Sequence, residues 1–280
     1  MTVRRVLAIT IALVAAVTWG TWGNAPAAVA APDTSPHYYL SLGDSLAFGY
    51  QPDLVAAGDL NAADYQGYAE DFAGMRPHLT LVNYGCPGET TGTMLAGHCP
   101  WPGTLHDSYG GAPSQAAAAV AFLRSHPGQV DLISIDIGSN DLLALVSRCS
   151  TAPDPTSCIA AGVPATLATL ASNYGALLTQ LRALAPSAEI VLFNFYNPLA
   201  LKLPGSDALV AVASGVVDQL ASTFHATVAD AFTAINHDAG SPAEETFLCA
   251  RTWECTTFAN IHPTDLGYKA LAIALLHALN

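Results

Sequence analysis

Short apolar runs alternate along the chain with longer segments in which apolar residues recur every three or four positions. The runs are rich in Val, Ile and aromatic residues, which is typical of strands buried on both faces of a sheet. We predict strands at 38–43, 79–84, 130–137 and 189–195, and a weaker fifth strand at 225–229. Helices are predicted at 114–125, 164–185, 208–222 and 264–279, with a short one at 140–145.

This order of elements predicts the fold class. Strands that alternate with helices are joined by right-handed crossovers and lie parallel in one sheet. We therefore expect an α/β protein, a three-layer α/β/α sandwich with a mainly parallel, flavodoxin-like five-stranded sheet. No internal repeat and no low-complexity linker divides the chain, so a single domain is expected.

The first 30 residues have the features of a secretory signal peptide. Arg4 and Arg5 precede an apolar run at 6–17, and Ala28 and Ala30 provide a small-residue cleavage site. We predict a signal peptide at 1–30 and one domain at 31–280, with an uncleaved anchor as the alternative. The apolar run is shorter than the roughly 20 residues that a membrane span needs, and no later segment reaches that length. The mature protein is expected to be secreted, with no stable membrane span.

Composition excludes two classes of protein. The chain has 280 residues, 51% of them hydrophobic and 11% charged, so it has enough apolar side chains for a sizeable core and is not disordered. Nine Lys and Arg residues stand against 22 Asp and Glu residues. The resulting net charge of −13 repels a phosphate backbone, so we expect no nucleic-acid partner. We expect the protein to act as a monomer.

The six cysteines form three pairs of close neighbours in the sequence. An even count in an exported protein favours disulfides over reduced thiols. Sequential pairing is the favoured arrangement, although six cysteines allow 15 connectivities. A zinc site is disfavoured because no C-x2-C pair with a matched second half occurs. The predicted pairs are Cys86 with Cys99, Cys149 with Cys158, and Cys249 with Cys255.

Three long segments rich in Gly and Pro connect the predicted elements, at 86–113, 148–163 and 236–263. Loops of this length in a compact domain are often binding or catalytic loops, and each of these contains one of the cysteine pairs. Ligands of open α/β sheets bind at the carboxyl ends of the strands. The residues that follow the strands are therefore the candidate catalytic or ligand-binding residues.

The first strand leads directly into Gly43-Asp44-Ser45-Leu46. A serine at this position is a candidate nucleophile, although Asp44 and Ser45 are also residues that cap helices. A serine nucleophile needs a base and donors for an oxyanion. Gly88 follows the second strand, where the absence of a side chain would let its backbone N–H approach a substrate oxygen.

Two further residues could complete such a site. Asn140 follows the third strand and could donate a second hydrogen bond, although capping the next helix is the alternative. His262 precedes the last predicted helix, and its imidazole could act as the base, although a lone histidine is more often a surface or structural residue. Ordinary α/β-hydrolases carry their serine in a G-x-S-x-G sequence. This chain lacks that sequence, which separates it from that serine-hydrolase fold.

Taken together, the blocks at Ser45, Gly88, Asn140 and His262, in this order, resemble the GDSL or SGNH hydrolase family. The resemblance extends over nearly the whole mature chain, to Gly267-Tyr268. It implies the SGNH hydrolase fold, with Ser45 as nucleophile and His262 as base. It also implies an oxyanion hole formed by Ser45, Gly88 and Asn140. A serine hydrolase of this kind requires no cofactor and no metal.

One block departs from the family pattern. The family usually has Asp three residues before the histidine, where this chain has Ala259. We expect a Ser45–His262 dyad whose imidazole is oriented by a main-chain carbonyl from 253–259. The side chains of Asn260 and Glu254 are the alternatives.

The substrate class is less sharply indicated. The family includes lipases, phospholipases, thioesterases and carbohydrate deacetylases, and export with disulfides and an apolar composition favours a small-molecule or lipid carboxylic ester. Carbohydrate deacetylation and phospholipid hydrolysis are the enzymatic alternatives. An inactive secreted binding module is an alternative of another class, and a metal-dependent phosphoesterase is disfavoured. Five aromatic residues could line an acyl pocket or pack in the core: Phe48, Tyr50, Tyr65, Trp101 and Trp253.

Overall fold

The five predicted strands form one sheet through the centre of the molecule. The computed structural model describes residues 35–203 and 205–280. All strand pairs are parallel, in the order β2-β1-β3-β4-β5, which confirms the predicted flavodoxin-like sheet. The strands are β1 (His37–Gly43), β2 (Leu79–Asn83), β3 (Val130–Asp136), β4 (Glu189–Phe193) and β5 (Thr227–Ala229).

Helices connect the strands and cover the sheet. The short ones are α1 (Ser45–Phe48), α2 (Pro52–Ala56), α3 (Tyr68–Met75), α4 (Thr91–Ala96) and α9 (Ala231–Ile235). The longer ones are α5 (Gln115–Ser125), α6 (Ser139–Cys149), α7 (Pro155–Leu184), α8 (Ser206–Phe224), α10 (Pro242–Arg251) and α11 (Asp265–Ala278).

Successive residues of the central strands alternate between two cores. Leu40 and Ile133 belong to the core shared with α5, α7 and α8, whereas Tyr39 and Leu132 belong to the core shared with α3, α9 and α11. This follows from the two-residue period of a strand, and it explains why the strand sequences are almost continuously apolar. The layers are those of the predicted α/β/α sandwich.

All three segments predicted as long loops contain helices, and the first of them, 86–113, contains α4 (Thr91–Ala96). The helix predicted at 164–185 begins instead at Pro155, after the Asp154 side chain accepts a hydrogen bond from Ser157 N, and Pro164 lies inside it. The disulfide between Cys149 and Cys158 joins the end of α6 to the first turn of α7, so 148–163 is largely helical. The segment 236–263 likewise contains α10 and a 3₁₀ turn, Trp253–Cys255.

The predicted disulfides are confirmed, because the cysteines pair sequentially and none of the described residues is a free cysteine. Residues 35–280 form one compact unit. The predicted signal peptide at 1–30 lies outside the described residues. Within the described part of the chain, no helix is long and apolar enough to cross a membrane.

Candidate active site

The turn after β1 places Ser45 at the carboxyl end of the sheet. A Cβ atom on Gly43 would lie 2.1 Å from Asp136 Oδ1, so the tight passage out of the strand requires glycine. Asp44 caps α1 by accepting a hydrogen bond from Leu46 N at 3.1 Å. Ser45 is the first residue of α1, and its backbone N–H is one of those that a helix leaves without an intrahelical partner.

The structure brings Ser45 and His262 together across 217 residues of sequence. The two side chains are hydrogen-bonded, with 2.8 Å between Ser45 Oγ and His262 Nε2. The histidine segment is anchored to the 3₁₀ turn before it, because Trp253 N donates to His262 O at 2.9 Å. The ring of Tyr50 packs on the imidazole with 4.3 Å between centroids. These contacts fix the imidazole over the serine.

The partner of the other imidazole nitrogen is the side chain of Asn260, so the predicted main-chain acceptor is wrong. Asn260 Oδ1 lies 2.6 Å from His262 Nδ1 and accepts the backbone N–H of His262 at 3.0 Å. Because a backbone N–H needs an acceptor, the atom facing Nδ1 is the amide oxygen, and Nδ1 therefore carries a proton. Nε2 is then unprotonated and accepts the Ser45 hydroxyl proton.

The sequence contained a signal for this arrangement. An Asn side chain often accepts the backbone N–H two residues on, and Asn260 and His262 have that spacing. Ala259, three residues before His262, is exposed and has a left-handed backbone with φ of 44°. Its side chain therefore takes no part in holding the imidazole. Burial lowers the pKa of His262 to about 4, so the imidazole is neutral at neutral pH.

Hydrogen bonds from Asn140 connect the segments that contain the three predicted oxyanion positions. Asn140 Nδ2 donates to Glu89 O at 2.8 Å and to Asp44 Oδ2 at 3.2 Å. Asn140 therefore links the residue before Ser45 to the residue after Gly88. Gly88 has φ of 85°, a conformation that favours glycine, which turns the backbone at this point of the loop.

Buried carboxyl groups lie beneath the turn. Asp136 ends β3 and accepts a hydrogen bond from the Tyr68 hydroxyl at 2.6 Å. Burial and the neighbouring Asp44 carboxylate raise the pKa of Asp136 well above its usual range. Burial also raises the pKa of Asp44 to about 6. Ser45 Oγ lies 3.3 Å from Asp44 Oδ1, so a titratable group touches the predicted nucleophile.

An apolar pocket lies beside the site. Its borders include Ser139, which precedes Asn140, and Ile261, which precedes His262. Leu142, Leu143 and Val146 of α6 and Leu203, Leu209 and Val210 around the start of α8 line it. The pocket is lined mainly by aliphatic side chains. Of the aromatic residues considered from sequence, Phe48, Tyr65, Tyr50 and Trp101 instead belong to a small separate core cluster.

The described residues contain no candidate metal-binding cluster. Among residues 35–203 and 205–280, no group of three or more His, Cys, Asp or Glu side chains is arranged to hold a metal ion.

The parallel sheet between two helical layers, with a hydrogen-bonded serine and histidine beyond its strand ends, is the arrangement of an SGNH-type hydrolase and not of the G-x-S-x-G hydrolases. Residues 41–270 match the GDSL-like Lipase/Acylhydrolase family, and the chain belongs to this family. The protein is therefore a hydrolase that acts on ester bonds. No curated protein sequence matches the chain.

Solved structures with the same fold include several ester hydrolases. An extracellular lipase from Streptomyces rimosus has a TM-score of 0.57 and 20% identity, covering 86% of this chain and 99% of its own. A phospholipase A1 from Streptomyces albidoflavus has a TM-score of 0.58 and 20% identity, covering 87% of this chain and 100% of its own. An acetylxylan esterase from Geobacillus stearothermophilus has a TM-score of 0.54 and 20% identity, covering 88% and 95%.

Proposed function

We propose that the protein is a secreted serine esterase of the lipase type that cleaves carboxylic esters through an acyl-enzyme on Ser45. The observation that carries this proposal is the continuous hydrogen-bonded series from Ser45 Oγ through His262 to Asn260 Oδ1. A nucleophile, a base and a group that orients the base are the parts that acyl transfer requires.

His262 acts as the base in this proposal. Its neutral Nε2 removes the Ser45 proton as Ser45 Oγ attacks the ester carbonyl carbon, and the imidazolium then returns the proton to the leaving alcohol. Water repeats the sequence on the acyl-enzyme and releases the acid. Asn260 keeps the imidazole proton on Nδ1, so that the unprotonated Nε2 faces Ser45. An amide has the same role in Cys-His-Asn hydrolases.

The oxyanion formed in each step is bound by the backbone N–H groups of Ser45 and Gly88 and by Asn140 Nδ2. Asn140 Nδ2 already directs one N–H to Glu89 O at 2.8 Å. The other N–H faces Asp44 at the longer distance of 3.2 Å, and this is the N–H that the oxyanion takes. Each donor of this type contributes about 10²- to 10³-fold in rate.

The apolar pocket supports an acyl chain as the variable part of the substrate. It adjoins the residues preceding Asn140 and His262, so a chain attached to the reacting carbonyl can enter it. Each buried methylene contributes about 0.8 kcal/mol. The pocket therefore supports esters with several acyl carbons over acetate, which are substrates of a lipase or esterase and not of a carbohydrate deacetylase.

Secretion is part of the proposal. Three disulfides join described residues, and such bonds persist in oxidising compartments. Together with the predicted signal peptide they support export after cleavage behind Ala30. Intact mass and thiol titration of protein from the culture medium test this: a chain beginning at Ala31 without free thiols supports it, and retention of 1–30 opposes it. Light scattering of the same sample tests the expected monomer.

The activity test uses p-nitrophenyl acetate, butyrate, octanoate and palmitate with the oxidised mature protein, Ser45→Ala and His262→Ala. We expect hydrolysis that is greatest for an ester longer than acetate and that falls at least 10³-fold in both variants. A preference for acetate would favour the deacetylase instead.

Labelling with a fluorophosphonate separates the enzyme from an inactive binding module. The reagent needs an activated serine, so wild type should react and Ser45→Ala should not. An unlabelled wild-type protein that is also inert on all four esters would overturn the proposal.

A further inference from the structure

Gln115 is a buried side chain that holds the strand end next to the nucleophile. Its carboxamide makes a double contact with one backbone residue: Oε1 accepts from Gly43 N at 2.7 Å and Nε2 donates to Gly43 O at 2.9 Å. Gln115 is fully buried and is the first residue of α5, so the contact is held by a helix. Gly43 is separated from Ser45 only by Asp44.

The same Gln115 amide reaches Glu89 on the neighbouring loop. Nε2 donates to Glu89 Oε2 at 2.6 Å, and the Tyr109 hydroxyl donates to the same oxygen at 3.4 Å. Glu89 is also fully buried, yet its Oε1 has no hydrogen-bond partner among the described residues. A buried carboxyl oxygen without a partner is costly, so the site retains Glu89 at the expense of stability.

The backbone of Glu89 lies between two of the proposed oxyanion donors, Gly88 N and Asn140 Nδ2. Its nitrogen follows directly after Gly88, and its carbonyl accepts the N–H of Asn140 Nδ2 at 2.8 Å. Movement of Glu89 would therefore move Gly88 N and release Asn140 at the same time. The Gly43, Gly88 and Asn140 blocks meet through the Glu89–Gln115 contact.

We infer that Glu89 and Gln115 are positioning residues that fix the oxyanion hole relative to Ser45. The inference rests on the proposed function, because it concerns the geometry of the acyl-transfer site. Glu89 touches no reacting atom. It acts through Gly88 and Asn140, and a misplaced oxyanion donor loses most of its contribution to the rate.

The test compares Glu89→Ala, which removes the contact with Gln115, and Glu89→Gln, which keeps an oxygen acceptor for it. The readouts are kcat and KM on p-nitrophenyl butyrate and the inhibition constant of an alkyl trifluoromethyl ketone. The ketone forms a hemiketal with Ser45 and directs its oxyanion into the hole. We expect Glu89→Ala to lower kcat by about 10²-fold with KM changed less than threefold, and to weaken the ketone by a similar factor. Glu89→Gln should recover at least a tenth of the wild-type kcat.

A matched control separates positioning from stability. Glu244 is another buried glutamate that accepts from a side-chain amide, Asn236 Nδ2 at 2.9 Å, and from a backbone N–H, Gly240 at 2.7 Å. Glu244→Ala should lower the melting temperature while kcat stays within twofold, which would show that loss of a buried glutamate does not by itself reduce the rate. If Glu89→Ala does not fold, Glu89→Asp, which withdraws the carboxyl from Gln115 by one methylene, should give the same kcat-selective loss.

The outcomes for this inference and for the proposed function are distinct. Wild type that hydrolyses esters in a Ser45-dependent way, with Glu89→Ala or Glu89→Asp equal to it in kcat and ketone affinity, would overturn the positioning role alone. Absence of Ser45-dependent hydrolysis in wild type would instead overturn the proposed function.

Discussion

Asn260 Oδ1 accepts two hydrogen bonds from the same residue, His262, at 3.0 Å from its backbone nitrogen and 2.6 Å from its ring Nδ1. The backbone bond fixes the amide oxygen toward the ring, and the ring bond fixes the tautomer. A neutral amide thus orients the imidazole, from a position one residue closer to the histidine than Ala259.

Asn260→Ala should lower kcat by about 10²- to 10⁴-fold on p-nitrophenyl butyrate, because the imidazole loses its orienting partner. KM should change little, since Asn260 faces the ring. Ala259→Asp serves as control: residue 259 is exposed, and a carboxylate there should give no gain in kcat. A variant at 260 that keeps more than half of the wild-type kcat would contradict this role for Asn260.

The pH profile should show an unusually low acid limb. Burial lowers the pKa of His262 to about 4, and the base is active only when neutral, so His262 protonation should reduce kcat/KM only near that pH. Asn260→Asp should move this limb upward by at least one pH unit, because a carboxylate stabilises the imidazolium. Rates measured from pH 3.5 to 8 give the acid limb of wild type and of Asn260→Asp. Identical limbs in the two proteins would mean that residue 260 does not contact the titrating imidazole.

Val146→Trp should shorten the preferred acyl chain. Val146 lines the apolar pocket on α6, six residues beyond Asn140, so a bulky ring there blocks the part of the pocket farther from the reacting carbonyl. We expect kcat/KM for octanoate to fall at least tenfold and that for acetate to stay within threefold. Val212→Trp, at an exposed position of α8, is the control. An equal effect on both esters would place the acyl chain elsewhere.

Removing the disulfide between Cys86 and Cys99 should affect both stability and rate. The bond closes a loop with a sequence separation of 13 and should contribute roughly 3 kcal/mol to the free energy of unfolding. Cys86 lies two residues before Gly88, so the Cys86→Ala/Cys99→Ala variant should also lose kcat. Cys149→Ala/Cys158→Ala, in the α6–α7 connection, should lose stability with kcat retained. Urea titrations and initial rates measure the two effects, and equal kcat in both variants would count against a role of this disulfide in the site.

Stability should decline from pH 6 to pH 8 because of Glu89. Burial raises its pKa to about 7, whereas the unfolded chain titrates near the usual value of 4.5. A raised folded-state pKa stabilises at low pH, and that contribution is lost as pH rises through 7, by about 1 kcal/mol between pH 6 and 8. Glu89→Gln should make this decline smaller by about that amount, with the remainder due to the other buried carboxyl groups, Asp44 and Asp136. Urea unfolding at both pH values measures it, and equal declines in the two proteins would show that another group is responsible.

The sheet could be predicted from local patterns in the sequence. The alternation of apolar runs with helical segments specified five strands, because strands buried on both faces must be continuously apolar, and this pattern is local. It also placed Ser45, Gly88, Asn140 and His262 after strands or before the last helix, and the spacing of the cysteines matched their pairing. Helices inside 86–113, 148–163 and 236–263 were missed because Gly, Pro and polar residues obscured their periodicity, while disulfides and packing hold them in place.

The surroundings of those residues could not be predicted, because they depend on how distant segments pack. Whether a main-chain carbonyl, Glu254 or Asn260 orients His262 depends on how 253–262 folds, and only the packed turn brings Asn260 Oδ1 to Nδ1. The pocket's aliphatic lining comes from α6, the start of α8 and Ile261, which lie far apart in sequence. Glu89 and Gln115, 26 residues apart, meet only because strand order brings their loops together. Such contacts are long-range, so local sequence patterns do not predict them.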